Sequence, residues 1–285
     1  MKIRALDLFS GIGGFHLGFS RAGYEVTSYF SEVDKHAIAV YQHQFKNSTY
    51  VGAVGDVRGA DLPAIDLITF GSPCQDFSQA GARRGLEGDR SSLIAEAIRL
   101  IRECRPRVFI WENVKGTFSS NDGADFAAIL QAFIDLGGYR LEWQLLNTSW
   151  FLPQNRERVY LVGHLATSPG DWGGVFPITE ESRKTYDLQR QQAYTNTILR
   201  VYGNDAQGSY VGERQLPSQD YRLRRLTAIE CERLQGFPDN HTEFGLYEDG
   251  IKRISIGQRY SQCGNAVSVD VVKEIALRLK PIMYG

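Results

Sequence analysis

The chain has 285 residues, 42% of them apolar and 23% charged, with a formal net charge of −1. This length and composition fit a globular protein of one large domain, or of a domain with a smaller partner. The charge announces no polyanion partner, and no run approaches the roughly 18 apolar residues of a membrane span.

The amino-terminal MKIRALDLFSG turns polar after Phe9, too soon for a secretory signal. The expected compartment is therefore the cytoplasm, where thiols stay reduced. Cys74, Cys104, Cys231 and Cys263 are far apart and form no CxxC pair. That argues against a disulfide framework or a zinc site, and no metal is expected.

Seven short apolar runs mark candidate strands: Ile3–Phe9, Val26–Phe30, Tyr50–Val54, Ile65–Phe70, Arg107–Trp111, Leu141–Leu146 and Val159–Val162. Between them lie helix-period segments at Phe15–Ala22, Lys35–Phe45, Ser91–Cys104 and Ala124–Leu136, with apolar residues spaced as in Leu93, Ala97, Leu100 and Ile101. This alternation predicts an α/β fold with a doubly wound, mostly parallel sheet. After Leu165 the rhythm breaks. Residues 167–222 are rich in Gly, Ser, Thr, Gln, Asn and Tyr, with weak strand-like pieces such as Asn196–Tyr202. They predict a second, smaller and irregular domain. Helical periodicity returns at Thr227–Gln235 and Val267–Leu279. The expected division is a large domain over 1–165, a small one over 166–245, and a hinge and helix over 246–285 that return to the large domain.

In open α/β sheets, ligands bind beyond the carboxyl ends of the strands. Asp7 and the turn Ser10-Gly11-Ile12-Gly13-Gly14 follow the first run, Glu32 and Asp34 the second, Asp56 the third, Cys74 the fourth and Glu112 the fifth. Five strand ends carrying an acid or a thiol predict a site. The turn is GxGG rather than the GxGxxG of a dinucleotide fold, and by itself is a weak signal. Glu32 and Asp56 suit a ligand with ribose hydroxyls, an amino-bearing base and a cation, rather than a pyrophosphate. S-adenosylmethionine has these groups. Cys104, Cys231 and Cys263 are expected to be small core fillers. Cys74 differs, because Pro73 precedes it, polar residues follow, and it leaves a buried strand for a loop where a thiol can meet substrate. Glu112-Asn113-Val114-Lys115-Gly116 and Gln154-Asn155-Arg156-Glu157-Arg158 bring an acid and two arginines towards the same crevice.

With these pieces in order, the sequence resembles the DNA cytosine carbon-5 methyltransferases of bacteria and phages. The matching motifs are DLFSGIGG, Glu32-Val33-Asp34, GDV at 55–57, PCQDFS, ENVKG, QNRERVYLVG, RRLTAIECERLQGFPD at 224–239 and QCGNAVSV at 262–269. PCQ with ENV at this spacing is the specific part. The Cys-Phe-Thr signature of tRNA-directed relatives is missing from the sequence.

The resemblance implies a Rossmann-like methyltransferase domain, with 166–245 as its target-recognition region. It implies S-adenosylmethionine as cofactor and double-stranded DNA as partner for an enzyme acting as a monomer. Cys74 would attack carbon 6 of a flipped cytosine. Glu112 would hold or protonate N3. Arg158 would contact O2 and orient Glu112, with Arg156 supporting the pocket.

The cofactor would be lined by Phe9, Gly11, Ile12, Gly14, Glu32, Val33, Asp56, Val57, Pro73, Leu93, Asn265 and Ala266. Glu32 would take the ribose hydroxyls and Asp56 the adenine amine. Ala266 departs from the serine some relatives carry. Gln75, Ser78, Arg83, Arg84, Thr197, Arg200 and Arg225 are the expected DNA contacts, with Asn196, Asn204, Gln207 and Arg214 as further candidate base readers. So short an insert implies a target of about four or five base pairs.

Overall fold

The computed structural model describes residues 1–72, 93–165, 174–180, 195–196, 210–214 and 221–284. A seven-stranded sheet has the order β3-β2-β1-β4-β5-β8-β6. Its strands are β1 (Lys2–Leu8), β2 (Glu25–Ser31), β3 (Ser48–Tyr50), β4 (Leu67–Gly71), β5 (Val108–Val114), β6 (Tyr139–Asn147) and β8 (Glu157–Leu165), β7 being the two residues Gln154–Asn155. Six of the seven apolar runs are therefore strands of one sheet, and the other touches one at Tyr50. The third is the least accurate: it pairs over Ser48–Tyr50, and Gly52 at φ 90° breaks the extended conformation.

Strands β1 to β5 are parallel, whereas β8 runs antiparallel to both β5 and β6. The reversal places the start of β8 at the carboxyl end of β5, so Val114 pairs with Arg158 and Glu112 with Tyr160.

Both faces of the sheet are covered. Because side chains alternate along a strand, Ile3 and Ala5 of β1 face one layer and Leu6 and Leu8 the other. The first layer packs Phe15 and Phe19 of α1 (Gly14–Arg21) with Val271, Val272 and Ile275 of α7 (Val269–Arg278). The second packs Ile94, Ile98 and Ile101 of α3 (Leu93–Cys104) with Phe126, Ile129 and Phe133 of α4 (Ala124–Ile134). In α1, a Cβ on Gly14 would stand 2.6 Å from Val267 and one on Gly18 2.4 Å from Val272. Glycine there lets the carboxyl-terminal segment lie directly against α1, and a methyl at Gly18 should cost about 1–3 kcal/mol through overpacking.

Local signals set the other helices. Asp34 caps α2 (Lys35–Gln44), accepting from His36 N at 2.8 Å. Thr227 and Glu230 form a capping box on α5 (Ala228–Leu234), and Ser255 caps α6 (Ile256–Asn265). A short helix α8 (Lys280–Tyr284) follows α7.

The hairpin of β12 (Phe244–Tyr247) and β13 (Gly250–Arg253) sits on α2, where a Cβ on Gly245 would meet Ala39 at 2.8 Å. Phe237 and Ile254 join Ile12, Ala37, Val40, Ala266 and Val269 in one apolar cluster. Phe237 and Gly245, grouped by sequence with the small domain, thus pack against α2 and the loop that carries Ile12. Of the polar insert, β9 (Thr195–Asn196) pairs with β7, and β10 (Tyr210–Arg214) forms a hairpin with β11 (Tyr221–Arg225). The rest of the expected strand Asn196–Tyr202 lies outside the described residues. No described helix is long and apolar enough to cross a membrane.

Candidate active site

The first half of the crevice is built by the ends of β1, β2 and β3. Phe9 and Gly11 both turn the chain through positive φ, 53° and 52°. For Phe9 this is a strained conformation costing on the order of 1 kcal/mol. The strain is held in place by the groups around the loop. Ser10 N donates to Ser31 O at 3.1 Å and Gly13 N to Ser10 O at 3.0 Å.

Glu32 receives three backbone N–H groups, from Gly11 at 2.9 Å, Val33 at 2.8 Å and Asp34 at 3.0 Å. Oε2 is thereby tied to the glycine loop, and Oε1 to the turn that follows Glu32. On the far side, the buried His241 meets Ile12 O through Nε2 at 2.9 Å. Burial pushes its imidazole down to about 4, so at neutral pH it is uncharged and Nε2 can donate to that carbonyl.

Among the expected cofactor residues, Val33 is 78% exposed, a large apolar side chain at a strand end. A Cβ on Gly11 would meet nothing within 4 Å, so the loop faces open space. Ser10 Oγ is buried without a hydrogen-bond partner. Asp56 is exposed on a turn closed by its own N–H on Ala53 O at 2.9 Å, between the buried Val54 and Val57. Leu93 opens α3 half-buried, and Asn265 is exposed where α6 ends. The side chains of Ile12 and Ala266 are buried against each other's cluster, so they shape the wall from behind. Pro73 lies outside the described residues.

Asp7 does not face this crevice. It shares the face of β1 that carries Ile3 and Ala5, is 2% exposed, and accepts from Thr69 Oγ1 at 2.9 Å and Tyr41 OH at 3.2 Å. Burial raises its carboxyl to about 7. Its place at a strand end belongs to a buried polar cluster with His16 and Ser28 rather than to the site.

The second half is built by β4, β5 and β8. Gly71 ends β4 in register with Glu112 on β5. A Cβ at Gly71 would stand 3.0 Å from Glu112 Oε2, so glycine makes room for the carboxylate. Arg158 Nε lies 3.2 Å from Glu112 Oε1, with both side chains mostly shielded from solvent. The angle forms no hydrogen bond, leaving the buried Oε1 with capacity to engage another group.

Next to them, Asn113 Nδ2 reaches Ser72 O at 3.3 Å and Ser72 Oγ at 3.2 Å, while Trp111 Nε1 donates to Ser72 Oγ at 3.1 Å. The chain is thus pinned two residues before Cys74. Cys74 itself, with Gln75, Ser78, Arg83, Arg84, Thr197 and Arg200, lies outside the described residues. Arg225 is exposed at the end of β11.

Arg156 is placed differently from Arg158. Its guanidinium is buried and donates to Gly264 O at 3.3 Å and Ala266 O at 3.0 Å, the carbonyls at the end of α6. Such groups are left without helical partners, and a cation there also meets the negative end of the helix dipole. Gln235 bonds Cys263 O at 3.0 Å and Ser268 Oγ at 3.2 Å, and Ser268 meets Thr148 at 2.6 Å. These contacts fasten the segment carrying Asn265 and Ala266 to the base of β8. Cys231 and Cys263 are fully buried, as expected of core fillers, whereas Cys104 is half-buried. Sequence reasoning missed His241, Ser72 and the Gln235 contacts, for which no periodicity or motif chemistry speaks.

A family model described as C-5 cytosine-specific DNA methylase matches residues 3–204 and 177–281. The Type II methyltransferase M.NlaX of Neisseria lactamica is 34% identical, with 97% of this chain and 96% of the relative covered. The orphan methyltransferase M.SPRI of Bacillus phage SPR is 39% identical over 57% of this chain and 38% of its own. In fold, the crystal structure of S. pombe Dnmt2 methyltransferase superposes with a TM-score of 0.71 at 22% identity, covering 98% of this chain and 99% of that one. The chain belongs to the C-5 cytosine-specific DNA methylase family, and it is an enzyme.

Proposed function

We propose that this enzyme transfers a methyl group from S-adenosylmethionine to carbon 5 of a cytosine flipped out of a short, specific duplex DNA sequence. The observation that carries the reading is the Glu112–Arg158 pair, set in register with Gly71 at the point where the chain leaves for Cys74. A cytosine ring needs such a group pair. Carbon 5 is too electron-poor to attack unaided, and adding a thiolate at carbon 6 makes it enamine-like.

Cys74 would form that bond. Glu112 would hold a proton at N3 so that negative charge does not build on the ring. Arg158, already paired with Glu112, would bind O2 and keep the carboxyl oriented. After methylation, loss of the carbon 5 proton expels the Cys74 sulfur and restores the aromatic ring.

The first half of the crevice fits the cofactor. The open space over Gly11, the unpartnered Ser10 Oγ, the oriented Glu32 carboxylate and the bare face of Val33 suit a ribose and an adenine. When bound, S-adenosylmethionine supplies an electrophilic methyl on a sulfonium. Phe9, Gly11, Glu32, Val33, Asp56, Val57, Pro73, Leu93 and Asn265 would hold it, with Ile12, Gly14 and Ala266 shaping the wall. Residues 166–245 would read the target, with Thr197, Arg200 and Arg225 among the phosphate or base contacts.

The test is DNA carrying 5-fluorocytosine at the target. Fluorine cannot leave as the proton does, so wild-type enzyme with cofactor should form an adduct stable to denaturing gels. Cys74→Ser should form none and turn over no substrate, while Cys104→Ser, Cys231→Ser and Cys263→Ser, if folded, still form it. Active wild-type enzyme that gives no adduct would falsify the Cys74 mechanism.

A further inference from the structure

The turn that presents Asp56 is gripped by a side chain outside the motifs. Arg99, on α3, donates from Nη2 to Val57 O at 2.9 Å and reaches Val54 O at 3.4 Å, the two carbonyls on either side of Asp56. Its Nε donates to Glu96 at 2.8 Å and its Nη1 to Glu103 at 2.8 Å. The other oxygen of Glu103 accepts Gly59 N–H at 2.7 Å. Burial alone would raise the Glu103 carboxyl, but the Gly59 N–H and Arg99 hold it below its usual range. A Cβ on Gly59 would stand 2.7 Å from Glu103 Cβ, so glycine is what lets the loop reach the helix.

Isolated surface ion pairs contribute little. Here one planar fork joins two carboxylates and two carbonyls, a geometry that a lysine ammonium cannot reproduce. Val54 and Val57 fix the turn from beneath by burial, and Arg99 fixes it from the side, leaving Asp56 exposed and aimed outwards.

We propose that Arg99 is a positioning residue that holds the Asp56 turn in register for the 6-amino group of the cofactor's adenine, and so sets selectivity for a 6-aminopurine. The inference rests on the reading of Asp56 as the adenine contact.

Calorimetry with S-adenosylhomocysteine and with S-inosylhomocysteine, in which a carbonyl replaces the amine, tests both. Wild-type protein should prefer the adenine ligand by about tenfold or more, the worth of one hydrogen bond to a charged group. Asp56→Ala should abolish the preference. Arg99→Met should weaken adenine binding and shrink the preference to a few-fold, Arg99→Lys should not restore it, and Asp56→Ala with Arg99→Met should bind no worse than Asp56→Ala alone. Glu103→Gln should move the preference the same way by less, and serves if Arg99→Met unfolds.

If Asp56→Ala loses the preference but folded Arg99→Met and Glu103→Gln keep it, this inference fails and the cofactor reading stands. Additive losses in the double variant also overturn the inference, because Arg99 would then act elsewhere. If Asp56→Ala changes neither affinity nor preference, the cofactor reading itself fails.

Discussion

The two halves of the crevice each present a glutamate at a strand end, and they treat it in opposite ways. Glu32 is held in place: one N–H of the glycine loop and two of the turn that follows Glu32 converge on its oxygens. Glu112 is shielded from solvent, faces the Arg158 guanidinium, and keeps an oxygen without a hydrogen bond. A carboxylate that accepts several backbone N–H groups is held rigidly in one orientation. One that is shielded from water beside a cation, with an oxygen left over, keeps hydrogen-bonding capacity for another group. On the proposed function, the contrast separates a half that binds the cofactor from a half that reacts.

The largest effect that could break this contrast is expected at Glu112. Glu112→Gln keeps the shape and removes the acid, so single-turnover methylation should slow by about 10²–10⁴. Cofactor affinity measured by calorimetry should stay within about twofold. A large loss of affinity in folded protein would move Glu112 to the binding half.

Arg156 joins the halves, since it leaves the base of β8 to hold the carbonyls of Gly264 and Ala266. Arg156→Met strips the cation from two buried carbonyls and should cost about 2–4 kcal/mol in urea unfolding. It should also weaken cofactor binding by loosening Asn265. Unchanged stability would mean that water replaces the guanidinium and the halves are not coupled through it.

A smaller loss is expected at Glu32. Glu32→Gln sets an amide N–H against the backbone donors, and cofactor affinity should fall about tenfold or more, at 1.5–3 kcal/mol per charged hydrogen bond lost. If the rate of the chemical step at saturating cofactor falls as far as in Glu112→Gln, the division of labour is wrong.

The smallest effect is a pH slope from groups beneath the binding half. His16 and His241 are both pushed down to about 4 by burial. Between about 6.5 and 4 the unfolded chain binds more protons at these histidines, so stability is lost as pH falls through that window. Asp7, raised to about 7 by burial, works with the opposite sign: the folded state binds its proton more tightly, and that contribution is lost as pH rises through 7. Two histidines outweigh one aspartate, leaving a net acid loss of about 1.4 kcal/mol per pH unit at most. Asp7→Asn should steepen it and His241→Gln flatten it, read from urea midpoints at pH 7, 5.5 and 4.5. An unchanged slope in both would show that other groups set it.

Much of this was legible in the chain itself. Apolar runs and helical periodicity located six of the seven strands and the flanking helices, because burial on both faces forces continuous apolar strands and amphipathic helices whatever their order. Motif chemistry pointed to Glu112 and Arg158, which lie 3.2 Å apart, and to the burial of Cys231 and Cys263, while Cys74 lies outside the described residues. The strand-end rule failed at Asp7, because the pleat of β1, not its position, decides which face a side chain meets.

Strand order and direction were decided by tertiary structure. The reversal of β8 carries Arg158 to Glu112, and residues 46 apart in sequence have no local signal of that meeting. The different destinations of Arg156 and Arg158, two residues apart, depend on where the carboxyl-terminal segment packs. His241 on the glycine loop and Arg99 beside the Asp56 turn are likewise brought to their partners by packing between distant segments. Periodicity reports how each segment buries its own surface. Which distant carbonyl or carboxylate a polar side chain satisfies is settled only when the segments pack and every buried group must find a partner.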